Sequence, residues 1–285
     1  MLASTTSLPV IDFTSPTAAR DFTQSLHETG FGVLSQHPIS NQLVNEIFSS
    51  WLAFFQSDEK FSYPYSSEQF DGYFSTTVSE TAKGNAQKDI KEFFHIYPWG
   101  RIPAGLKDQA LQYYAEASDL AATLLRWVEQ HTPDHIAEHY RQSLSTMIEG
   151  SEQTLLRVLH YPPLQGDEPA GSVRAAAHTD INLLTVLPAA NEPGLQVQAK
   201  NGDWLDVPCD FGLLIINIGD MLQEASQGYY PSTMHRVINP NGATANVSRV
   251  SLPLFLHPKP DVILSERYTA ETYLSERLRE LGMKK

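Results

Sequence analysis

Between residues 1 and 150, the apolar positions recur mainly at the spacing of helices. This spacing predicts helices over about residues 15–30, 40–55 and 106–131, and a further helix that begins at Thr132-Pro133. Three short apolar runs predict strands, namely LPVIDF, FGVLSQH and DIKEFFHIYP. Residues 57–89 are polar and rich in Tyr, which is typical of an irregular surface loop.

After Gly150, the pattern changes to short β-rich runs in quick succession. Asn201-Gly202 lies between two of them and predicts a hairpin with a type I′ turn. Many short strands separated by turns predict an α+β protein with a jelly-roll core and flanking helices. We expect one domain over residues 1–285, with a mostly helical part (1–150), a β-core (151–260) and a C-terminal segment (261–285) carrying a helix from about Thr269 to Leu281.

Composition and charge narrow the possible partners. The 285 residues include 20 Lys+Arg and 33 Asp+Glu, a net charge of −13. No basic cluster interrupts this excess, so neither nucleic acid nor an anionic membrane is an expected partner. The single cysteine, Cys209, and the lack of a basic, apolar leader predict a cytoplasmic location.

Two polar side chains interrupt the apolar run AAAHTDINLLTVLP. In a strand, residues i and i+2 share a face, so His178 and Asp180 are expected to converge on one point. His235, in STMHRVINP, is the best candidate for a third ligand. Two imidazoles and one carboxylate favour iron(II), although zinc catalysts use the same ligands. A hydrogen-bonded core pair is the alternative for His178 and Asp180.

A second pair lies in SRVSLPLFL. Arg249 and Ser251 are again two residues apart and are expected to share a face. A guanidinium and a hydroxyl together form a good receptor for a buried carboxylate. No acidic residue stands nearby in the sequence, so a bound dicarboxylate would supply the counter-charge; a structural ion pair is the alternative for Arg249.

The order HxD, a distant His and RxS resembles the iron(II)- and 2-oxoglutarate-dependent oxygenases, in particular the isopenicillin N synthase-like branch. Further matches span most of the chain in the family's order, including GFGVLSQHPIS, RVLHYPP and NIGDMLQEASQGYYPSTMHRV. The resemblance implies a double-stranded β-helix core, His178, Asp180 and His235 as iron ligands, and Arg249 and Ser251 as the cradle of the co-substrate's distal carboxylate. It also implies that the Tyr161 hydroxyl helps to hold that carboxylate. It assigns no role to His160 and no catalytic residue beyond the metal centre.

The expected activity is oxidation of a small organic molecule with O2, releasing succinate and CO2. Isopenicillin N synthase and the aminocyclopropane-carboxylate oxidases share the scaffold without consuming 2-oxoglutarate, so the pattern leaves them open. A non-catalytic jelly-roll binding protein and a zinc hydrolase are alternatives from other classes. The sequence indicates neither the substrate nor the oligomeric state.

A competing motif occurs in the segment HIAEH, residues 135–139, which matches the HxxEH pattern of inverted zinc peptidases. Thr132 and Pro133 predict a helix there, whose apolar face is Ile136, Tyr140, Leu144 and Met147. Because the histidines lie beside that face, we expect them to be exposed rather than to bind zinc.

Overall fold

Two β-sheets form the centre of the protein. The computed structural model describes residues 8–76, 89–166, 168, 172–190, 192–239 and 246–280. The larger sheet has the order β1-β2-β10-β7-β13-β5-β4-β3, with β12 also paired to β5, and the smaller has the order β6-β11-β8-β9. The strands are β1 Val10–Asp12, β2 Phe31–Ser35, β3 Gly72–Phe74, β4 Glu92–Ile96, β5 Leu155–Tyr161, β6 Ala175–His178, β7 Leu184–Pro188, β8 Leu195–Gln198, β9 Trp204–Asp206, β10 Leu214–Ile218, β11 His235–Val237, β12 Arg249–Ser251 and β13 Leu254–Leu256.

The helices pack mainly against the outer face of the larger sheet. They are α1 Ala18–Thr29, α2 Asn41–Gln56, α3 Lys107–His131, α4 Asp134–Ala137, α5 Leu144–Ile148, α6 Asp220–Ala225 and α7 Ala270–Glu280, with a 3-10 helix at Asp58–Ser62. The Ser40 side chain caps α2 by accepting a hydrogen bond from the Leu43 backbone N–H. Gly30 ends α1 in the left-handed conformation, with φ +75°. The predicted jelly-roll core with flanking helices is confirmed.

Alternate residues of the larger sheet form a second, inner core against the smaller sheet. Val33, Leu159 and Ile215 of the larger sheet belong to this inner cluster, together with Val237 of the smaller sheet. Their neighbours Leu34, Val158 and Ile216 belong instead to the cluster that includes the helices. The larger sheet begins with β1 and β2 of the N-terminal part, because β2 pairs with β10. Strand β2 of the N-terminal part and β10 of the β-core are thus neighbours in one sheet. Within the described ranges, no helix combines the length and apolarity needed to span a lipid bilayer.

Two predictions about irregular segments are wrong. The segment 57–89 is not simply a surface loop, because β3 lies within it, is buried, and pairs with β4; residues 77–88 lie outside the described residues. The helix predicted to begin at Thr132-Pro133 is interrupted. It divides into α4 and α5, so the four apolar positions assigned to one face do not share a helix. Local spacing could not reveal that β3 pairs with β4, nor that the helix is interrupted between α4 and α5.

The hairpin at Asn201-Gly202 is confirmed, but its turn type is not. Strands β8 and β9 are antiparallel neighbours. Gly202 has φ +91°, whereas Asn201 is not among the described non-glycine residues with positive φ. A type I′ turn needs positive φ at both central residues. The Gly202 N–H instead donates to the Ala199 carbonyl, and the Ala199 N–H to the Asp203 carbonyl, which is a wider loop closed by a left-handed glycine.

A close backbone contact at the start of α6 fixes the segment that follows β6. The Asp220 N–H donates to the Asp180 carbonyl at 2.7 Å, and the Met221 N–H donates to the Asn182 carbonyl at 3.1 Å. This approach requires a glycine before the helix. A Cβ atom on Gly219 would lie 2.0 Å from the Asn182 carbonyl oxygen, far inside van der Waals contact.

We therefore predict that Gly219→Ala destabilises the protein by at least about 2 kcal/mol, since the overlap forces two backbone segments apart. The measurement is the free energy of unfolding in urea. Gly105→Ala is the matched control, because a Cβ atom there meets nothing within 4 Å. Equal stability of the two variants would show that the close approach of Gly219 to the Asn182 carbonyl does not exclude a Cβ atom.

Candidate metal and co-substrate site

The three predicted metal ligands lie together at the edge where the two sheets meet. His178 ends β6, Asp180 follows two residues later, and His235 begins β11 as the cross-strand partner of His178. The Asp180 Oδ1 atom lies 4.0 Å from His178 Nε2 and 3.8 Å from His235 Nε2. All three ligand atoms lie within 4.8 Å of one another. The structure therefore brings together the triad that the spacing predicted.

Backbone carbonyls set the protonation pattern of both imidazoles. His178 Nδ1 lies 2.8 Å from the Ala176 carbonyl, and His235 Nδ1 lies 3.1 Å from the Thr233 carbonyl. A carbonyl can only accept, so each Nδ1 carries a hydrogen and Nε2 is the nitrogen left to bind a metal. Burial, together with the neighbouring His235, lowers the pKa of His178. Both rings thus offer Nε2, on the side of Asp180, as the candidate ligand atom.

Two neutral side chains of the larger sheet hold the Asp180 carboxylate. Its Oδ2 atom accepts hydrogen bonds from Thr185 Oγ1 at 2.6 Å and from Asn217 Nδ2 at 2.8 Å. Burial opposes ionisation, but the two imidazoles and these hydrogen bonds outweigh it, so the pKa of Asp180 lies below its usual value. The carboxylate is therefore ionised at neutral pH, with Oδ1 directed between the histidines.

This donor set fits one divalent cation. First-row metals lie about 2.1 Å from imidazole nitrogen and carboxylate oxygen. The three ligand atoms lie within 4.8 Å of one another, so small side-chain movements would bring them onto one ion. Asp180 and His235 are 7% and 8% exposed, whereas 39% of the His178 side chain is accessible. One side of the site is therefore open to a further ligand, as a metal that binds an organic chelate and O2 requires.

The predicted carboxylate receptor lies on the inner face of the larger sheet. Strand β12 pairs with β5, which places Arg249 opposite Tyr161 and Ser251 opposite Leu159. The Arg249 guanidinium lies 5.8 Å from the centre of the Tyr161 ring. The three predicted co-substrate residues thus share one surface, because cross-strand partners point to the same side of a sheet.

Arg249 is buried without an obvious counter-charge. It is 5% exposed, its Nε atom has no hydrogen-bond partner, and one Nη atom donates weakly to the Pro193 carbonyl at 3.4 Å. Burial lowers the pKa of Arg249. Within the described part of the chain, it forms no ion pair of 4.0 Å or less, so the alternative of a structural ion pair finds no support there.

His160, which the sequence left unassigned, lies on the opposite face of β5. Its Nδ1 is 2.7 Å from the Glu92 carboxylate, its Nε2 is 3.2 Å from the Ser248 hydroxyl, and its ring stacks on Phe55. Glu92 also accepts from Lys60. This buried network joins α2, β4 and β5 behind the sheet, which makes His160 a structural residue.

Sequence reasoning missed the supports of the site. Thr185 and Asn217 orient Asp180, and each lies within an apolar run, INLLTVLP and GLLIINIGD respectively. The available signal was the same one that identified His178 and Asp180, namely a polar side chain inside an apolar strand. A third omission is Arg174, which is 1% exposed and lies one residue before β6.

A wall of aromatic and basic side chains adjoins the metal ligands. Phe255 is the cross-strand partner of Thr185, and His95 is the partner of Arg157. The Arg157 guanidinium lies 4.6 Å from the Phe93 ring and donates through Nε to His95 Nε2 at 2.9 Å. Phe255 thus lies beside Thr185, which contacts Asp180, and Arg157, Phe93 and His95 continue the same face of the sheet away from the metal ligands.

The competing HIAEH motif forms no such cluster. His135 lies in the four-residue helix α4, His139 lies beyond its end, and both side chains are exposed. Over the described ranges, the triad of His178, Asp180 and His235 is the one group of three or more metal-ligating side chains that the structure brings together. The prediction of exposed histidines is confirmed.

Comparisons with known proteins agree with the geometry. Residues 152–258 match the family model for the 2OG-Fe(II) oxygenase superfamily, and residues 8–116 match the model described as non-haem dioxygenase in morphine synthesis N-terminal. A 2-oxoglutarate-Fe(II) type oxidoreductase of Emericella nidulans is 28% identical, over 90% of this chain and 81% of its own length.

Solved structures show the same similarity. A Shewanella oneidensis protein classed as an oxygenase is 58% identical, with a TM-score of 0.89 over 97% of this chain and 99% of that chain. A full-length Neurospora crassa protein, solved in complex with alpha-KG, shares the fold at 23% identity, with a TM-score of 0.80 over 97% of each chain.

The exposure of His135 and His139 leads to a test of the competing motif. We predict that replacing both by Ala leaves bound Fe(II) or Zn(II) unchanged in equilibrium dialysis, since neither side chain belongs to a ligand cluster. His178→Ala is the positive control and should lower the metal content. Loss of one equivalent of zinc from the double variant would contradict the prediction.

Proposed function

Because the chain belongs to the 2OG-Fe(II) oxygenase superfamily and is thus a non-haem iron dioxygenase, we propose that His178, Asp180 and His235 hold its iron. The observation that carries this proposal is the preset donor geometry, in which the Nε2 atoms of two imidazoles and one carboxylate oxygen converge. The enzyme uses Fe(II), 2-oxoglutarate and O2. The comparisons do not favour the oxidases without 2-oxoglutarate, the zinc hydrolase or the non-catalytic binding protein.

Bound iron(II) supplies O2 activation, coupled to oxidative decarboxylation of 2-oxoglutarate to succinate and CO2 and to oxidation of the organic substrate. The residues of this chain supply position and charge. The Ala176 and Thr233 carbonyls hold the imidazoles in the ligating tautomer, and Thr185 and Asn217 keep Asp180 ionised and oriented. No side chain needs to act as a general acid or base in this proposal.

Arg249, Ser251 and Tyr161 bind the distal carboxylate of 2-oxoglutarate in this proposal. A buried guanidinium is costly unless an anion meets it, and the described residues provide none in contact with Arg249. A dicarboxylate can chelate the metal at its 2-oxo acid end while its other carboxylate reaches the inner face of β12. The charge requirements of both ends are then met by one molecule.

The substrate is a small organic molecule that lies against the wall of Phe93, His95, Arg157 and Phe255. The aromatic rings of Phe93 and Phe255 offer stacking surfaces to a planar substrate. A substrate screen should therefore begin with planar organic molecules. Succinate release above the substrate-free rate is the readout that connects a compound to turnover.

The iron assignment predicts a graded loss of metal affinity. Asp180→Ala should abolish stoichiometric Fe(II) binding under anaerobic conditions, because it removes the one anionic ligand. Thr185→Val leaves the Asp180 carboxylate in place but removes a hydrogen bond that orients it. We therefore expect the affinity for Fe(II) to fall by about 10- to 100-fold, as is usual when a residue that supports a metal ligand is lost. Wild-type affinity in Asp180→Ala would rule out the assignment.

Arg249 decides the co-substrate assignment. Lysine keeps the charge but loses the two-pronged geometry, so Arg249→Lys should weaken 2-oxoglutarate binding by about 1–3 kcal/mol and Arg249→Ala by more. Iron binding should persist in both. The measurement is the visible charge-transfer band during titration of 2-oxoglutarate into the anaerobic iron complex. Unchanged affinity in Arg249→Ala would remove Arg249 from the site.

A further inference from the structure

A second buried guanidinium accompanies Arg249. Arg174 is 1% exposed. Among the described residues, its Nε atom has no hydrogen-bond partner, and its one side-chain hydrogen bond runs from Nη2 to the Val247 carbonyl at 2.7 Å. Val247 is two residues before Arg249, so this bond ties the Arg174 side chain to the segment that leads into β12. A fully buried cation with one neutral acceptor is far from satisfied.

The backbone around Gly194 brings the two arginines to the same end of the inner core. A Cβ atom on Gly194 would lie 3.5 Å from Arg249 Nη1 and 3.2 Å from the Ile238 carbonyl. The next residue after Ile238, Asn239, accepts the Arg174 backbone N–H through its side-chain oxygen at 3.0 Å. The Arg174 guanidinium contacts Val247 and Arg249 begins β12, so both side chains lie beside the segment that leads into β12.

The two charges act on each other. Burial lowers the pKa of Arg174, and the positive charge of Arg249 lowers it further. The negative charge of Glu192 acts in the opposite direction and favours a higher pKa for both arginines. Yet neither Glu192 nor any other carboxylate of the described residues forms an ion pair of 4.0 Å or less with either guanidinium. Two like charges buried together without a contacting anion indicate a site that is completed by one.

We propose that Arg174 is a second cationic binding residue for the distal carboxylate of 2-oxoglutarate and that the pair of Arg174 and Arg249 selects dicarboxylic over monocarboxylic 2-oxo acids. The proposal rests on the proposed function, which supplies the ligand and the role of Arg249. Each guanidinium contributes a buried Nε–H that the protein leaves unpaired, and one carboxylate has enough lone pairs to accept from both.

The experiment compares two ligands in the anaerobic Fe(II) protein. 2-Oxopentanoate keeps the 2-oxo acid end of 2-oxoglutarate but has a methyl group in place of the distal carboxylate. Arg174→Met, which removes the charge and preserves the stem, should weaken 2-oxoglutarate binding at least tenfold and leave 2-oxopentanoate binding within twofold. Arg174→Lys should show a smaller loss, again for 2-oxoglutarate alone. Affinities are read from the charge-transfer band.

Thermal unfolding of the metal-free protein supplies a second readout. Saturating 2-oxoglutarate should raise the Tm of the wild type more than that of Arg174→Met, whereas a merely structural Arg174 would lower the Tm of the variant without changing the ligand-induced shift. If Arg174→Met does not fold, Arg174→Lys decides by the same ligand comparison. Equal losses for both ligands, or wild-type affinity for 2-oxoglutarate, would overturn the proposal.

Failure of the proposed function has a different signature. A wild-type protein that binds neither 2-oxo acid, or an Arg249→Ala variant with unchanged 2-oxoglutarate affinity, would remove the co-substrate site itself. Loss of binding in Arg249→Ala together with unchanged binding in Arg174→Met would leave the co-substrate site intact and reject only the role of Arg174.

Discussion

The buried carboxylate of Asp180 is the constraint on which the rest of the site depends. Its hydrogen bonds come from the neutral side chains Thr185 and Asn217, so they orient the negative charge without cancelling it. The imidazoles beside it are held in the tautomer that offers a lone pair. A divalent cation stabilises such an ionised carboxylate most. It supplies positive charge, and it can bind the carboxylate oxygen and both imidazole nitrogens at once. The two sheets must stay in register for this arrangement, since the smaller carries the histidines and the larger carries Thr185 and Asn217.

Positive charge is unbalanced at the other end of the interior, near Arg249 and Arg174. Arg249 and Arg174 bring positive charge into the core, and the described residues provide no contacting anion. One end of the interior therefore favours a cation and the other favours an anion. A ligand that binds only the native state stabilises it in proportion to its saturation. Loading with iron and a dicarboxylate should balance both charges, so the stability of this fold is coupled to the occupancy of its site.

The sequence predicted the parts of this arrangement that depend on local spacing. The i, i+2 rule brought His178 and Asp180 together and put Arg249 beside Ser251. It did not identify Thr185, Asn217 or Arg174. Each is a polar residue in or beside an apolar run, but its hydrogen-bond partner is set by the fold, and for Asn217 and Arg174 that partner is distant in the chain. The same limit explains β3, whose pairing with β4 is invisible in a polar, Tyr-rich segment. The break between α4 and α5 shows the converse error, in which apolar positions at helical spacing do not guarantee a continuous helix.

The proposed substrate wall lies entirely on the larger sheet. Phe255 is on β13, Arg157 is on β5, and Phe93 and His95 are on β4, towards the edge. None of these four side chains hydrogen-bonds to a metal ligand or to Arg249 within the described residues. If substrate binds there, as we propose, changes in the wall alter which molecule is oxidised without disturbing the charges proposed to hold iron and co-substrate. Asp180 and Arg249 do not have this freedom, because each is a buried charge that a ligand must balance. In the proposed site, loss of Asp180 removes the iron that 2-oxoglutarate chelates, and loss of Arg249 removes the partner of its distal carboxylate.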